Sequence, residues 1–210
     1  MSGWPVAGAE VDAAARERGR ILAAFVELVG ECGLKEVTAT ATIARAGTAP
    51  GSFERHFADP EECFEVAWDG LEAAYLERLA AAYEGFDDWR ERFRAASAAT
   101  VRLAEAHPDW ARFLTVASLA AGDNGRRRQR AIGRHLVALL DTAREQLDDP
   151  AAVPEVTGRW ILGIFFDRFY RRFASPDGPD LVSQLPELRF LAVSCYFGTE
   201  AGLAEFGLQP

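Results

Sequence analysis

Apolar positions recur at helical spacing along almost all of the 210 residues. In the first strong segment Ile21, Phe25, Leu28, Val29 and Cys32 fall at i, i+4, i+7, i+8 and i+11, which is one face of a helix. Gly33 follows where a left-handed cap is wanted. A short segment, Thr38 to Ala46, has Ile43 and Ala44 as its apolar side. Gly47 breaks it, and a second short piece, Pro50 to Phe57, places Phe53 and Phe57 four apart. Asp59-Pro60-Glu61-Glu62 then supplies an N-cap, a proline for the first helical position, and a carboxylate three residues after the cap. Behind it Phe64, Trp68, Leu71, Tyr75, Leu79 and Ala82 keep helical spacing for about six turns.

The remaining pattern predicts four or five more helices. They run from Asp87 to about His107, Pro108 to Ala121, a loop at 122–125 into a segment ending near Leu147, Val156 to Phe173, and Leu185 to Phe206. No segment alternates with period two, so the expected fold is all-α with about nine helices.

Composition narrows the function. An apolar share of 49% and a charged share of 26% suit a folded globular chain. The formal net charge of −9 excludes a protein whose whole surface grips nucleic acid or anionic lipid. It leaves room for a small DNA-reading unit, because charge acts within a Debye length of about 8 Å. Residues 1–59 carry 6 basic and 8 acidic groups, so most of the acidity lies in the remaining body. No apolar run reaches the roughly 18 residues of a membrane helix, and the first twenty residues lack a signal-peptide pattern. Three scattered cysteines (Cys32, Cys63, Cys195) fit a reducing compartment. The expected location is cytoplasmic, with no membrane partner.

Two short helices around a glycine turn, between Thr38 and Phe57, have the dimensions of a helix-turn-helix. In such a unit the second helix enters the major groove. Thr38, Thr40, Thr42, Thr48 and Ser52 offer hydroxyls for phosphates or base edges, and Arg45, Arg55 and His56 offer donors. The string Ile43-Ala44-Arg45-Ala46-Gly47-Thr48-Ala49-Pro50-Gly51-Ser52-Phe53-Glu54-Arg55-His56-Phe57, followed by Asp59-Pro60-Glu61-Glu62 and Phe64, resembles the DNA-binding signature of the TetR family of transcriptional regulators. The resemblance is specific over residues 16–68 and extends in layout over the whole chain. Leu185 to Leu191, with Phe197 to Ala201, looks like the last dimerisation helix of many members.

The resemblance implies an N-terminal arm and three-helix DNA-binding domain in residues 1–59. Residues 60–210 would form a helical effector-binding and dimerisation domain. DNA contact would fall to Thr38, Thr40, Thr42, Arg45, Thr48, Ala49, Pro50, Gly51, Ser52, Glu54, Arg55 and His56, on a double-stranded operator. Three positions depart from the family pattern. Glu54 stands where a tyrosine is usual, Pro50 where a lysine or arginine is usual, and Thr40 where an apolar residue is usual. The segment 38–57 carries Arg45 and Arg55 against Glu54. Affinity would then lean on Arg16, Arg18 and Arg20; the alternative is an effector-binding dimer with weakened or lost specific recognition.

Aromatic residues concentrate in the middle and late helices, where they either line an apolar cavity or fill a core. The resemblance places an effector pocket among the helices of residues 87–173. Trp110, Phe113, Leu114 and Ala117 lie on one of them, with Trp89, Phe93 and Phe166 as companions. Few charges interrupt these faces, which points to a hydrophobic or aromatic small molecule. Trp160 to Tyr170 is apolar almost all round, and Leu188, Leu191, Cys195, Thr199 and Leu203 follow helical spacing. Together they suggest a four-helix homodimer seam using Trp160, Ile164, Leu188, Leu191, Cys195 and Thr199, burying at least about 1,200–2,000 Å². The arginines between 126 and 134 read as a solvated helix start. Three separated histidines, no Cys/His metal spacing and no phosphate loop give no catalytic residue, metal or cofactor to expect.

Overall fold

The computed structural model describes Trp4 and residues 12–207. Its helices are α1 (Ala13–Cys32), α2 (Ala39–Ala46), α3 (Ser52–His56), α4 (Pro60–Tyr83), α5 (Trp89–Ala106), α6 (Pro108–Arg112), α7 (Ser118–Ala120), α8 (Gly122–Asp141), α9 (Thr157–Ala174), α10 (Leu181–Phe197) and α11 (Thr199–Leu203). Phe113–Ala117 joins α6 to α7 as a π-helical stretch. No strand occurs among the described residues, so the fold is all-α as the periodicity required.

Local chemistry sets most of the boundaries. Asp12 caps α1 by accepting from Ala15 N–H at 2.7 Å. Asp59 caps α4 through Glu62 N–H at 2.8 Å, while the Glu62 carboxylate reaches back to Ala58 N–H, one residue beyond the usual capping-box partner.

Four boundaries differ from the sequence reading. The expected loop at 122–125 is already helical, and Gly125 permits a close approach there, since a Cβ would run into the Ser118 carbonyl oxygen. The segment expected to run on to Leu147 leaves α-geometry at Asp141 and finishes as a 3₁₀ turn, Thr142–Gln146. The last helix starts four residues early at Leu181, capped by Asp180. It stops at Gly198, whose φ of +87° and ψ of +164° belong to a region that only glycine enters readily.

Packing groups the chain into two compact units. The first comprises residues 1–76 and 107–127, the second residues 77–106 and 128–210. The sequence predicts a division at 59/60, whereas packing gives α4 as far as Leu76 to the first unit.

In the first unit Ile21, Leu22, Phe25, Val26 and Val29 of α1 are buried with Phe53, Phe57, Phe64 and Trp68. Leu28 is half-buried and Cys32 exposed, so the buried stripe sits one step round from the predicted one. Phe113 is fully buried, with its ring 5.0 Å from Phe64 and 6.4 Å from Trp68. Trp4 lies against α4 at Gly70, where a Cβ would come 2.7 Å from its indole.

In the second unit Trp89 stacks on Phe93 at 4.9 Å and meets Tyr196 edge-on at 5.4 Å. Ala143, Ile161, Ala192 and Val193 complete that cluster. Tyr196 Oη donates to Asp141 at 2.7 Å, and burial, joined by the carboxylate beside it, pushes the phenol's pKa up. Arg144 donates to the carbonyls of Pro150, Val153 and Pro154, tying down the segment before α9.

Phe113→Ala removes the shared ring of the first unit's aromatic cluster. It is expected to cost about 3–5 kcal/mol in denaturant unfolding, whereas Leu119→Ala, an exposed position in the same unit, should stay within about 0.5 kcal/mol.

Candidate nucleic-acid interface

Helix α2 begins at Thr38, whose hydroxyl accepts from Ala41 N–H at 3.1 Å. It ends at Gly47, with φ +62° and ψ +41°. Gly47 N–H bonds Ala44 O, and Thr48 N–H bonds Ile43 O at 3.1 Å, the Schellman pattern that satisfies the last free carbonyls. The chain then turns again. Ser52 N–H bonds Ala49 O at 3.1 Å, and Gly51 sits at φ +78° and ψ 2°, the values of position i+2 in a type II turn. Pro50 therefore occupies i+1 of this turn and not the first turn of α3, as the sequence suggested. The two turns together deliver α3, a helix of five residues.

The inner side of this pair is also partly different from expectation. Phe53 and Phe57 are buried, with ring centres 5.4 Å apart. Ala44 is exposed and Ile43 half-buried. Thr42 takes the inward place, fully buried, with its hydroxyl donating to Thr38 O at 2.9 Å. Ser52 is equally buried, and its Oγ accepts from Arg55 Nη2 at 2.9 Å. Thr48 Oγ1 is buried and without a partner among the described residues. Thr42 and Ser52 thus turn inward and Thr38 caps α2, while Thr40, Ala49, Pro50, Gly51, Glu54 and Arg55 are exposed.

Both arginines of the pair are already engaged by α1. Arg45 forms a fork with Glu31, with contacts of 2.9 and 2.8 Å, and a third contact of 3.3 Å to Glu27. These carboxylates raise the pKa of Arg45, and the arginine lowers that of Glu31. Arg55 Nη2 and His56 Nε2 meet one oxygen of Glu17, at 2.9 and 3.0 Å. The hydrogen bonds from Arg55 and His56 lower the pKa of Glu17.

Glu17, Glu27 and Glu31 are neighbours of the α2–α3 pair that the sequence pattern did not single out. At about 100° per residue they share an arc of roughly 80° on α1, a signal that was available. Among the described residues Arg16, Arg20 and Lys35 are exposed and pair with no carboxylate, while Arg18 lies over the Phe57 ring at 5.4 Å. Glu54 is exposed and unpaired among the described residues.

The residues proposed for an effector divide between the two units. Trp110, Phe113 and Ala117 are buried in the first, with Leu114 half-buried. Trp110 stacks on His107 at 4.0 Å, and Phe113 through Ala117 is the π-helical stretch. Trp89 and Phe93 are core of the second unit, with Phe166 half-buried. Of the residues proposed for a dimer seam, Trp160 is 65% exposed and Ile164 36%. Cys195 and Thr199 are exposed and Leu191 half-buried. Leu188 is only 5% exposed, because it points into its own unit, so it does not belong to a free face.

The fold matches solved structures over most of its length. The fatty acid degradation regulator FadR from Bacillus halodurans superposes with a TM-score of 0.74 at 13% identity, covering 88% of this chain and 96% of that one. FadR from Bacillus subtilis, in complex with stearoyl-CoA, gives 0.73 at 15%, covering 85% and 97%. The ketosteroid transcriptional regulator KstR2 of Mycobacterium tuberculosis gives 0.64 at 20%, covering 89% and 97%. Other matching structures are described as TetR-family or TetR-like regulators. No family model and no curated protein matches the chain by sequence.

Glu17 has its pKa lowered in the folded state, so its contribution to stability is present above the unfolded carboxylate value of 4.5. That contribution is lost as pH falls through the lower folded value. Stability measured against pH should fall below about 4.5 more steeply in the wild type than in Glu17→Gln.

Proposed function

We propose that this chain, which has the all-α fold of the TetR-family regulators, is itself a member of that family. In this reading it is a homodimeric, ligand-responsive transcriptional regulator acting in the cytoplasm, and it has no catalytic role. The observation that carries the proposal is the α2–α3 pair. A Schellman cap and a type II turn present a short helix with an outward polar face, the arrangement that a major-groove reader needs. Residues 1–59 read the operator and residues 60–210 bind the effector and form the dimer.

Release from DNA follows from linkage. An effector that prefers the conformer whose two reading helices are wrongly spaced lowers operator affinity by its differential affinity for the two states. The required half-site separation is about 34–36 Å. The regulator is then a repressor, relieved by a hydrophobic or aromatic small molecule. Stearoyl-CoA on one structural relative and the ketosteroid regulation named for another support that class. Effector contact is assigned to the helix carrying Trp110, Phe113, Leu114 and Ala117, where the π-helical stretch is a feature frequent at functional positions. In the second unit the candidates are Trp89, Phe93 and Phe166, and the buried Trp89 Nε1 lacks a partner among the described residues.

The dimer seam is assigned to α9 and α10. Trp160 and Ile164 expose apolar surface on α9, Leu191 and Cys195 lie on α10, and Thr199 begins α11. A second reading, an effector-binding dimer with weakened DNA recognition, is favoured by one fact. The carboxylates of α1 neutralise Arg45 and Arg55.

Selection of bound sequences from random duplex DNA separates the two readings. The first expects two-fold-symmetric sites with half-sites one helical turn apart, retained less when stearoyl-CoA is added. Failure to enrich any sequence at low salt favours the second. Trp160→Asp should convert the dimer to a monomer in sedimentation equilibrium, with the fold unchanged by circular dichroism.

A further inference from the structure

We propose that Glu54 is a base-reading residue that selects cytosine in the major groove. The inference rests on the DNA-binding reading above and names the chemistry of its contact.

The geometry of α3 singles this residue out. At about 100° per residue, buried Ser52, buried Phe53 and half-buried His56 span roughly 100° of the helix. Glu54 falls about 150° from the middle of that arc, farther out than any other residue of α3. Arg55, the other exposed residue, is drawn back toward α1 by Glu17 and toward the helix by Ser52 Oγ. The carboxylate of Glu54 is therefore the outermost charge on α3, and no cation among the described residues neutralises it.

A carboxylate in that place accepts hydrogen bonds and donates none. Facing a phosphate it would be repelled, so a DNA complex is favourable only where the groove supplies a donor. Guanine presents two acceptors to the major groove, thymine an acceptor and a methyl, and adenine a donor beside an acceptor. Cytosine alone presents its N4 amino donor without an acceptor on the same base. The preference for acids in a first helical turn explains why α3 tolerates Glu54, and it makes no distinction among bases.

The test is selection from random duplex DNA by the full-length wild type and by Glu54→Gln, Glu54→Ala and Glu54→Lys, with thermal melting as a folding check. The wild type should enrich half-sites with cytosine at one position, preferred about tenfold or more. Glu54→Gln should move that preference to adenine, whose N6 and N7 match a carboxamide. Glu54→Ala should lose it there and keep every other position. The inference is overturned if the wild-type consensus lacks the cytosine. It is also overturned if Glu54→Ala keeps the consensus while binding all sequences more tightly with a steeper salt dependence, the mark of a phosphate-facing carboxylate. If neither the wild type nor Glu54→Lys enriches any sequence, the DNA-binding reading itself fails, a result distinct from a shared consensus.

Discussion

Three carboxylates on α1 hold the two arginines that α2 and α3 carry, and the orientation of the short α3 depends in part on that exchange. Helix α3 has only five residues, far below the length at which a helix is stable in isolation. Its orientation must come from outside, and Glu17 supplies part of it by meeting both Arg55 and His56. Buried Phe53 and Phe57 supply the apolar remainder. The cations thereby serve first as struts, and a duplex phosphate would have to compete with Glu17, Glu27 and Glu31 for them. The near-neutral charge of residues 1–59 takes on a structural meaning, since opposite charges are matched across helices instead of being left to solvent.

Much of this was legible in the sequence, for identifiable reasons. Helical periodicity gave the number and order of the long helices, because each buries one stripe and exposes the other. The cap at Asp59 and the break at Gly47 follow from backbone chemistry local to a few residues. The position of the α2–α3 pair was carried by the string from Ile43 to Phe57. What escaped was set by tertiary partners. Thr42 looked like a donor to DNA, yet it is the residue turned inward; its hydroxyl is satisfied by its own helix, which makes burial inexpensive. Gly125 looked like a loop residue, yet its role is to let the Ser118 carbonyl approach.

The apolar body illustrates the limit of composition. Aromatic residues spaced along helices have the same pattern whether they line a cavity or fill a core. Trp89, Phe93 and Phe113 are given ring partners within their own units. Leu188 and Leu191 read alike in sequence, and only the packing of α10 sends one inward and leaves the other half-exposed. Trp160 was distinguished only by its neighbours: an apolar run too continuous for one covered face leaves some large side chain outside.

Pro50 brings no hydrogen-bond donor to the turn between α2 and α3, but it has a second effect. Proline at i+1 and glycine at i+2 of the Ala49–Ser52 turn match the backbone angles of a type II turn. Proline there also removes conformations from the unfolded chain that folding would otherwise have to discard. The turn is set before any ligand arrives, so little ordering entropy is left to charge against association. A protein that gives up a charged contact at this position gains a rigid one, trading electrostatic reach for preorganisation.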